Sequence, residues 1–224
     1  MILAPLAPLA RLAVLLPLAL AAAAACAQPV VRRIAAHPAA QAPAAAGAPA
    51  TLYSTISSPV DMYLPDSGLA VSGGHSAASQ QAIALSFTPA ADATLTRLVL
   101  PLALAAGDRL GLAVSVRADA GGLPGAELAS WTGLTPFDLK TREGEFQRCC
   151  SYVQVAATDA GVPLKAGATY WIAATGADDS DVAAVWQTST SGKTGRPAVR
   201  GSDGTWTLMD ATVLPALGVY GPLP

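Results

Sequence analysis

Leu110-Gly111-Leu112-Ala113-Val114-Ser115-Val116-Arg117 decides the fold class. Large aliphatic side chains take every second position, and the positions between them are small or charged. A period of two sends alternate side chains to opposite faces of an extended strand. A neighbouring run repeats the pattern: Leu98, Leu100, Leu102 and Leu104 alternate with Val99, Pro101 and Ala103. Pro101 has no N–H for a ladder, so this strand is expected at a sheet edge or bulged at the proline.

Outward from these two runs, segments at residues 51–56, 82–87, 126–131, 152–156, 169–174, 183–188, 205–209 and 217–220 also read as strands. Turn-forming residues punctuate them: Gly73-Gly74, Ala106-Gly107-Asp108, residues 121–125, Ala166-Gly167, residues 176–181 and Ser202-Asp203-Gly204. There is no asparagine, so the turns rest on Gly, Pro, Asp and Ser. No stretch has convincing amphipathic helix periodicity. About ten short strands with regular turns predict an all-β domain, an antiparallel β-sandwich over residues 51–224.

Composition narrows the function classes. The 224 residues carry 13 basic and 15 acidic side chains, a net charge of −2, with no basic run. Nucleic-acid recognition wants a basic patch, so no nucleic-acid partner is expected. Charged residues are 12% and hydrophobic residues 52%, which excludes a disordered chain. Much of that hydrophobicity is alanine, 50 residues in all, 21 of them in the first 50 positions.

Residues 1–27 read as an export signal. Arg11 supplies the positive start, and residues 12–25 form an apolar run interrupted by Pro17. The run is shorter than the ~20 residues of a membrane span and suits a signal core. Two readings of its end stay open. Ala25-Cys26-Ala27 is a small-residue cleavage site that leaves Gln28 first. Alternatively, Ala23-Ala24-Ala25-Cys26 resembles a lipobox that makes Cys26 the lipidated first residue, although Ala23 stands where a large aliphatic residue is usual. Residues 28–50 are a Pro/Ala-rich linker expected to be disordered, with a polyproline reach of about 70 Å. The expected location is the periplasm, the cell surface or the medium, and the membrane is reached only if Cys26 is modified.

The order of motifs carries a resemblance. Gln81-Ala82-Ile83-Ala84-Leu85-Ser86-Phe87-Thr88 precedes Leu95-Thr96-Arg97-Leu98-Val99-Leu100. Then comes Leu112-Ala113-Val114-Ser115-Val116-Arg117-Ala118-Asp119, running into Gly122-Leu123-Pro124-Gly125. Leu164-Lys165-Ala166-Gly167-Ala168-Thr169-Tyr170-Trp171 follows, then Val185-Trp186 and Leu217-Gly218-Val219-Tyr220-Gly221. Over residues 80–221 this order resembles the choice-of-anchor R domain of exported bacterial proteins. The resemblance implies a jelly-roll-type sandwich on the bacterial surface, with no defined catalytic residues and an interchangeable C-terminal sorting signal. Gly221-Pro222-Leu223-Pro224 gives no hydrophobic tail and no basic stop, so the expected anchor, if any, is Cys26.

No residue pattern names a reaction, and no cofactor is implied. Cys149-Cys150 are adjacent thiols. In an oxidising compartment they would close a strained vicinal disulfide, a rigid apolar patch; two free thiols or an intermolecular bridge are the alternatives. With the distant His75 they do not make a tetrahedral zinc set. Trp171, Trp186 and Trp206 are candidate aromatic platforms for a polysaccharide or envelope ligand, against ordinary core packing, which also fits Trp131. In Tyr170-Trp171 one side chain must face outward. Asp178, Asp179 and Asp181 form an acidic loop and a weak calcium candidate without the D-x-D-x-D-G pattern.

Ser191-Gly192-Lys193-Thr194 lacks the upstream glycine of a phosphate loop, because Gln187 stands there. His75 has no G-x-S-x-G elbow to activate. A glycosidase pair is limited to Glu127, Glu143 and Glu145, two of which sit in a charged loop. The expectation is therefore a non-enzymatic module that binds or associates at the cell surface, with a tryptophan-based carbohydrate-binding module as the alternative and a secreted hydrolase as the third reading.

Overall fold

A computed structural model describes residues 49–134, 136–138, 153–156 and 161–223. The signal and linker expectations for residues 1–48 lie outside the described residues, as do Cys26, Cys149 and Cys150. In chain order the strands begin with β1 (Ala50–Ser54), β2 (Tyr63–Ser72), β3 (Ala82–Phe87), β4 (Ala93–Leu95), β5 (Arg97–Leu100) and β6 (Leu102–Ala106). They continue with β7 (Leu112–Asp119), β8 (Pro124–Thr132), β9 (Phe137–Asp138), β10 (Val153–Ala156), β11 (Val162–Leu164) and β12 (Tyr170–Gly176). The last are β13 (Ala183–Ser189), β14 (Thr194–Gly195), β15 (Ala198–Arg200), β16 (Trp206–Leu208), β17 (Thr212–Val213) and β18 (Gly218–Gly221). Among the described residues the sole helical element is a 3-10 turn at Arg109–Gly111, and no helix is long and apolar enough to cross a membrane.

One layer is a six-stranded sheet ordered β16-β15-β3-β12-β7-β8. Facing it are two four-stranded sheets, β1-β18-β5-β10 and β2-β13-β6-β9. Pairing in the three sheets is antiparallel except between β6 and β9. The inner faces meet in one core: Ile83, Leu85, Val114, Val116 and Ile172 from the first layer pack with Leu98, Leu100, Leu102, Val155, Trp186 and Val219 from the second. Burying each large aliphatic side chain stabilises the fold by about 1.5–3 kcal/mol, which makes this interface the main source of stability. The expected all-β antiparallel sandwich is the observed architecture.

Local departures have physical causes. The described residues form eighteen short strands rather than about ten, because short pairings such as β4 with β11 and β14 with β17 add to the expected runs. Leu112, Val114 and Val116 are buried as their alternation predicts, whereas Leu110 lies in the 3-10 turn and is 64% exposed. Pro101 puts its strand neither at an edge nor in a bulge. It divides the run into β5, between β18 and β10, and β6, between β13 and β9. Its missing N–H falls where the chain steps between the two sheets, and its carbonyl accepts the Gln187 N–H at 3.0 Å.

Strand β2 is not among the expected strands, and it contains Pro65-Asp66-Ser67-Gly68, residue types that favour turns. Those residues do bulge: Gln187 pairs with Gly68 while Ser189 pairs with Tyr63. Oriented with its amide nitrogen toward the bulge, buried Gln187 donates to the carbonyls of Leu64 (2.8 Å) and Ser67 (2.7 Å). Gly68 permits the approach, because a Cβ there would meet Val185 Cγ1 at 2.3 Å and the Trp186 carbonyl at 2.6 Å.

Candidate functional site

The outer faces of the two layers differ. On the six-stranded sheet, Ala82 and Ala84 of β3, Ala173 of β12 and Ala198 of β15 make a floor of small side chains. Trp171 and Trp206 pack on it with Leu123 beside them, and the indoles are only 2% and 9% exposed. Trp171 Nε1 donates to Asp119 Oδ1 at 2.8 Å, and the Arg200 guanidinium sits 5.3 Å from the Trp206 ring centre. Trp186 is in the main core, fully buried, with Nε1 donating to the Ala216 carbonyl at 2.8 Å.

The expected tryptophan platform is therefore corrected, since none of Trp171, Trp186 and Trp206 offers an open ring face. Trp171 does point outward, as the alternation beside Tyr170 requires, but that outward face is itself covered. Trp131 packs against the core as a partly buried residue.

The outer face of β1-β18-β5-β10 is open. Cross-strand register places Thr51, Tyr220 and Arg97 in one transverse row, with Gln154 opposite Val99 on the next strand. Each of the four strands contributes to the groove. With the segment from Ile56 to Met62 along one side, they line a groove of about 370 Å³. Val99 and Met62 are its buried apolar floor, and Ser54, Ser57 and Ser58 add hydroxyls.

Two packing details fix the groove. A Cβ on Gly218 would fall 2.5 Å from Tyr220 Cε2 and 2.6 Å from its hydroxyl, so Gly218 leaves the space that the phenol ring fills. The Arg97 guanidinium lies 4.3 Å from the centre of that ring, a cation–π contact that holds it in place. Arg97 Nε is buried without a hydrogen-bond partner. Arg97 lines the groove, and among the described residues no carboxylate does. Lys193, which does not line the groove, donates from Nζ to the carbonyl of the lining residue Ser54 at 2.7 Å. That lysine belongs to the run compared with a phosphate loop; here it ties a loop to β1.

A cleft of about 460 Å³ elsewhere gathers His75, Asp108, Asp179, Ser180 and Asp181. It brings together the residue types of a hydrolase without their relay. Ser180 Oγ accepts the Val182 N–H, Asp108 Oδ1 accepts the Leu110 N–H, and His75 is held through its backbone N–H to the Ser180 carbonyl. The acidic loop named as a weak calcium candidate is engaged in hydrogen bonds. Asp181 Oδ1 accepts the Asp108 N–H at 2.8 Å and Asp178 Oδ1 accepts from Gln80 at 2.5 Å, so these carboxylates brace loops. Among the described residues no three His, Cys, Asp or Glu side chains are grouped to hold a metal. Glu127 pairs with Arg117 at 3.2 Å, while Glu143 and Glu145 lie outside the described residues.

Sequence reasoning missed the groove. Arg97 and Tyr220 stand more than a hundred residues apart, and nothing local marks them as neighbours. The one available signal was a single arginine interrupting an otherwise apolar strand. Comparison of the chain with protein-family models, with curated proteins and with solved structures finds no match.

Proposed function

We propose that this chain is an exported, non-catalytic binding module that works at the cell surface, in the periplasm or outside the cell, and that it holds its ligand in the groove on β1-β18-β5-β10. The observation that carries this reading is the row Thr51, Tyr220 and Arg97 with Gln154 beside it: polar side chains without hydrogen-bond partners, set in a formed cavity on a rigid sheet. Sheet-borne side chains hold their geometry before a ligand arrives, so little ordering is needed on binding. Hydroxyl, amide and phenol groups over an apolar floor suit the edges and faces of a sugar. Carbohydrate is therefore the ligand class we favour, at this groove rather than at the tryptophans.

The export signal and the resemblance to choice-of-anchor domains support an extracytoplasmic setting, with Cys26 as the tether if it is lipidated. Affinity electrophoresis of the full chain through gels containing polysaccharides tests the reading. Retardation that disappears in Gly218→Ala, a change that displaces the Tyr220 ring, is the expected result. Retardation by none of the polysaccharides, or retardation that survives Gly218→Ala, overturns it.

A further inference from the structure

We infer that the groove recognises a carboxylate, and that its ligand is an acidic polysaccharide bearing uronic acid residues. This inference rests on the proposed binding function and names its ligand class.

The argument begins with Arg97. A strand residue on an outer face ordinarily extends its guanidinium into water or meets an acid. Arg117, on the other layer, does the latter with Glu127 at 3.2 Å. Arg97 meets no acid among the described residues: its contact is the Tyr220 ring at 4.3 Å, and its buried Nε has no hydrogen-bond partner. A partly desolvated cation without a counter-charge is costly to keep. That cost is offset when an anion enters and meets the fork of terminal nitrogens, which matches the two oxygens of a carboxylate. Stacking on Tyr220 fixes the plane of the fork beforehand.

The surroundings point the same way. No Asp or Glu among the described residues lines the cavity. The protein as a whole is slightly acidic, at −2, whereas Arg97 carries the one charge among the described residues that line this groove. The distant cleft with His75 and three aspartates has the opposite character. Around the guanidinium, Thr51, Ser57, Ser58 and Gln154 present neutral hydrogen-bonding groups, the complement of a ligand that carries many hydroxyls for each charge. A uronic acid polymer has that composition.

Isothermal titration of the full chain with polygalacturonate, methyl-esterified polygalacturonate, dextran and dextran sulfate tests the inference. Polygalacturonate is expected to bind, and its affinity to fall as salt rises. Esterification, which removes the charge and leaves the backbone sugar, is expected to weaken binding at least about tenfold, as is Arg97→Gln. Arg97→Lys keeps the charge without the fork and is expected to fall between. The esterified ligand needs no mutation, so the test survives a variant that fails to fold.

Equal binding of the esterified and free polymers, tighter binding of dextran sulfate, or Arg97→Gln equal to wild type overturns the carboxylate inference. Loss of that equal binding in Gly218→Ala would still support the groove. Binding of none of the four polymers, or binding indifferent to Gly218→Ala, overturns both.

Discussion

Thr55 carries one hydroxyl and uses it twice. Its Oγ1 donates to the Pro215 carbonyl at 2.7 Å and accepts the Leu217 N–H at 2.8 Å, fully buried, with 160 residues between the partners. Ser189 Oγ donates to the Thr55 carbonyl in turn. Thr55→Val keeps the shape and leaves a buried carbonyl and a buried N–H unpaired, so it is expected to cost about 1–3 kcal/mol. Urea denaturation measures this, with Thr55→Ser as the control that retains the hydroxyl and most of the stability. Trp171→Ala makes a different kind of loss. It uncovers the alanine floor and strands Asp119, and an aromatic-to-alanine change at a buried site costs about 3–5 kcal/mol. An exposed binding platform would lose affinity at that position and almost no stability, so calorimetric melting separates the two roles.

Among the elements, β11 and the turn after it depend on an acid. Asp92 Oδ2 accepts from Lys165 Nζ at 2.8 Å, and Oδ1 accepts the Ala166 N–H at 2.9 Å. The Lys165 hydrogen bond, and after it the Ala166 N–H, hold this carboxyl below its ordinary value. A carboxyl so lowered contributes fully above its unfolded value, about 3.9, and the contribution is lost as pH falls through the lower folded value. Protection of the Ala166 amide, taken relative to its intrinsic exchange rate at each pH, is expected to fall in that acid window and to lose the dependence in Asp92→Asn; protection that stays constant down to about pH 2.5 would refute the latch.

The elements also show what the sequence could convey. Residues 82–87 were legible to the residue as β3, because alternation there is complete, and Leu112, Val114 and Val116 declared their inner face. Strand β2 was hidden because a bulge spells itself with turn residues, and only the distant Gln187 amide makes Pro65-Asp66-Ser67-Gly68 part of a strand. The tryptophans were misplaced for a related reason. Outward alternation fixes the face on which Trp171 lies, but not that alanines on three strands build a seat for it. Arg97 and Tyr220 become neighbours through register alone. Gly68→Ala tests the bulge: with Val185 at 2.3 Å, it should lower the melting temperature by several degrees, roughly what 1–3 kcal/mol does in a domain of this size.

For the whole molecule, the decisive pairing is β1 with β18. Ala50 pairs with Gly221 and Thr51 with Tyr220, so the two ends of the described domain lie side by side. Gly121 and Gly122 form an exposed turn with positive φ and open space around each. A circular permutant opened between them, with residues 221 and 50 joined by a short Gly/Ser linker, is expected to fold and to melt within a few degrees of the parent, since no buried backbone bond is cut. Failure to fold cooperatively would mean that the Asp119 to Pro124 hairpin nucleates the sheet, a role that φ-values would then locate.

The groove draws lining residues from each of β1, β5, β10 and β18, among them positions 51, 97, 154 and 220. No fragment of the chain therefore owns it. Contacts this distant in sequence carry the largest closure entropy and form late. Under the proposed binding function, a partly synthesised, nicked or half-refolded chain would be blind to a ligand even with its six-stranded layer in place. A ligand seated there would act as a clasp across the two chain ends and stabilise the native state by mass action. Binding would then report that the last strand has arrived, and would guard the very pairing whose loss releases it.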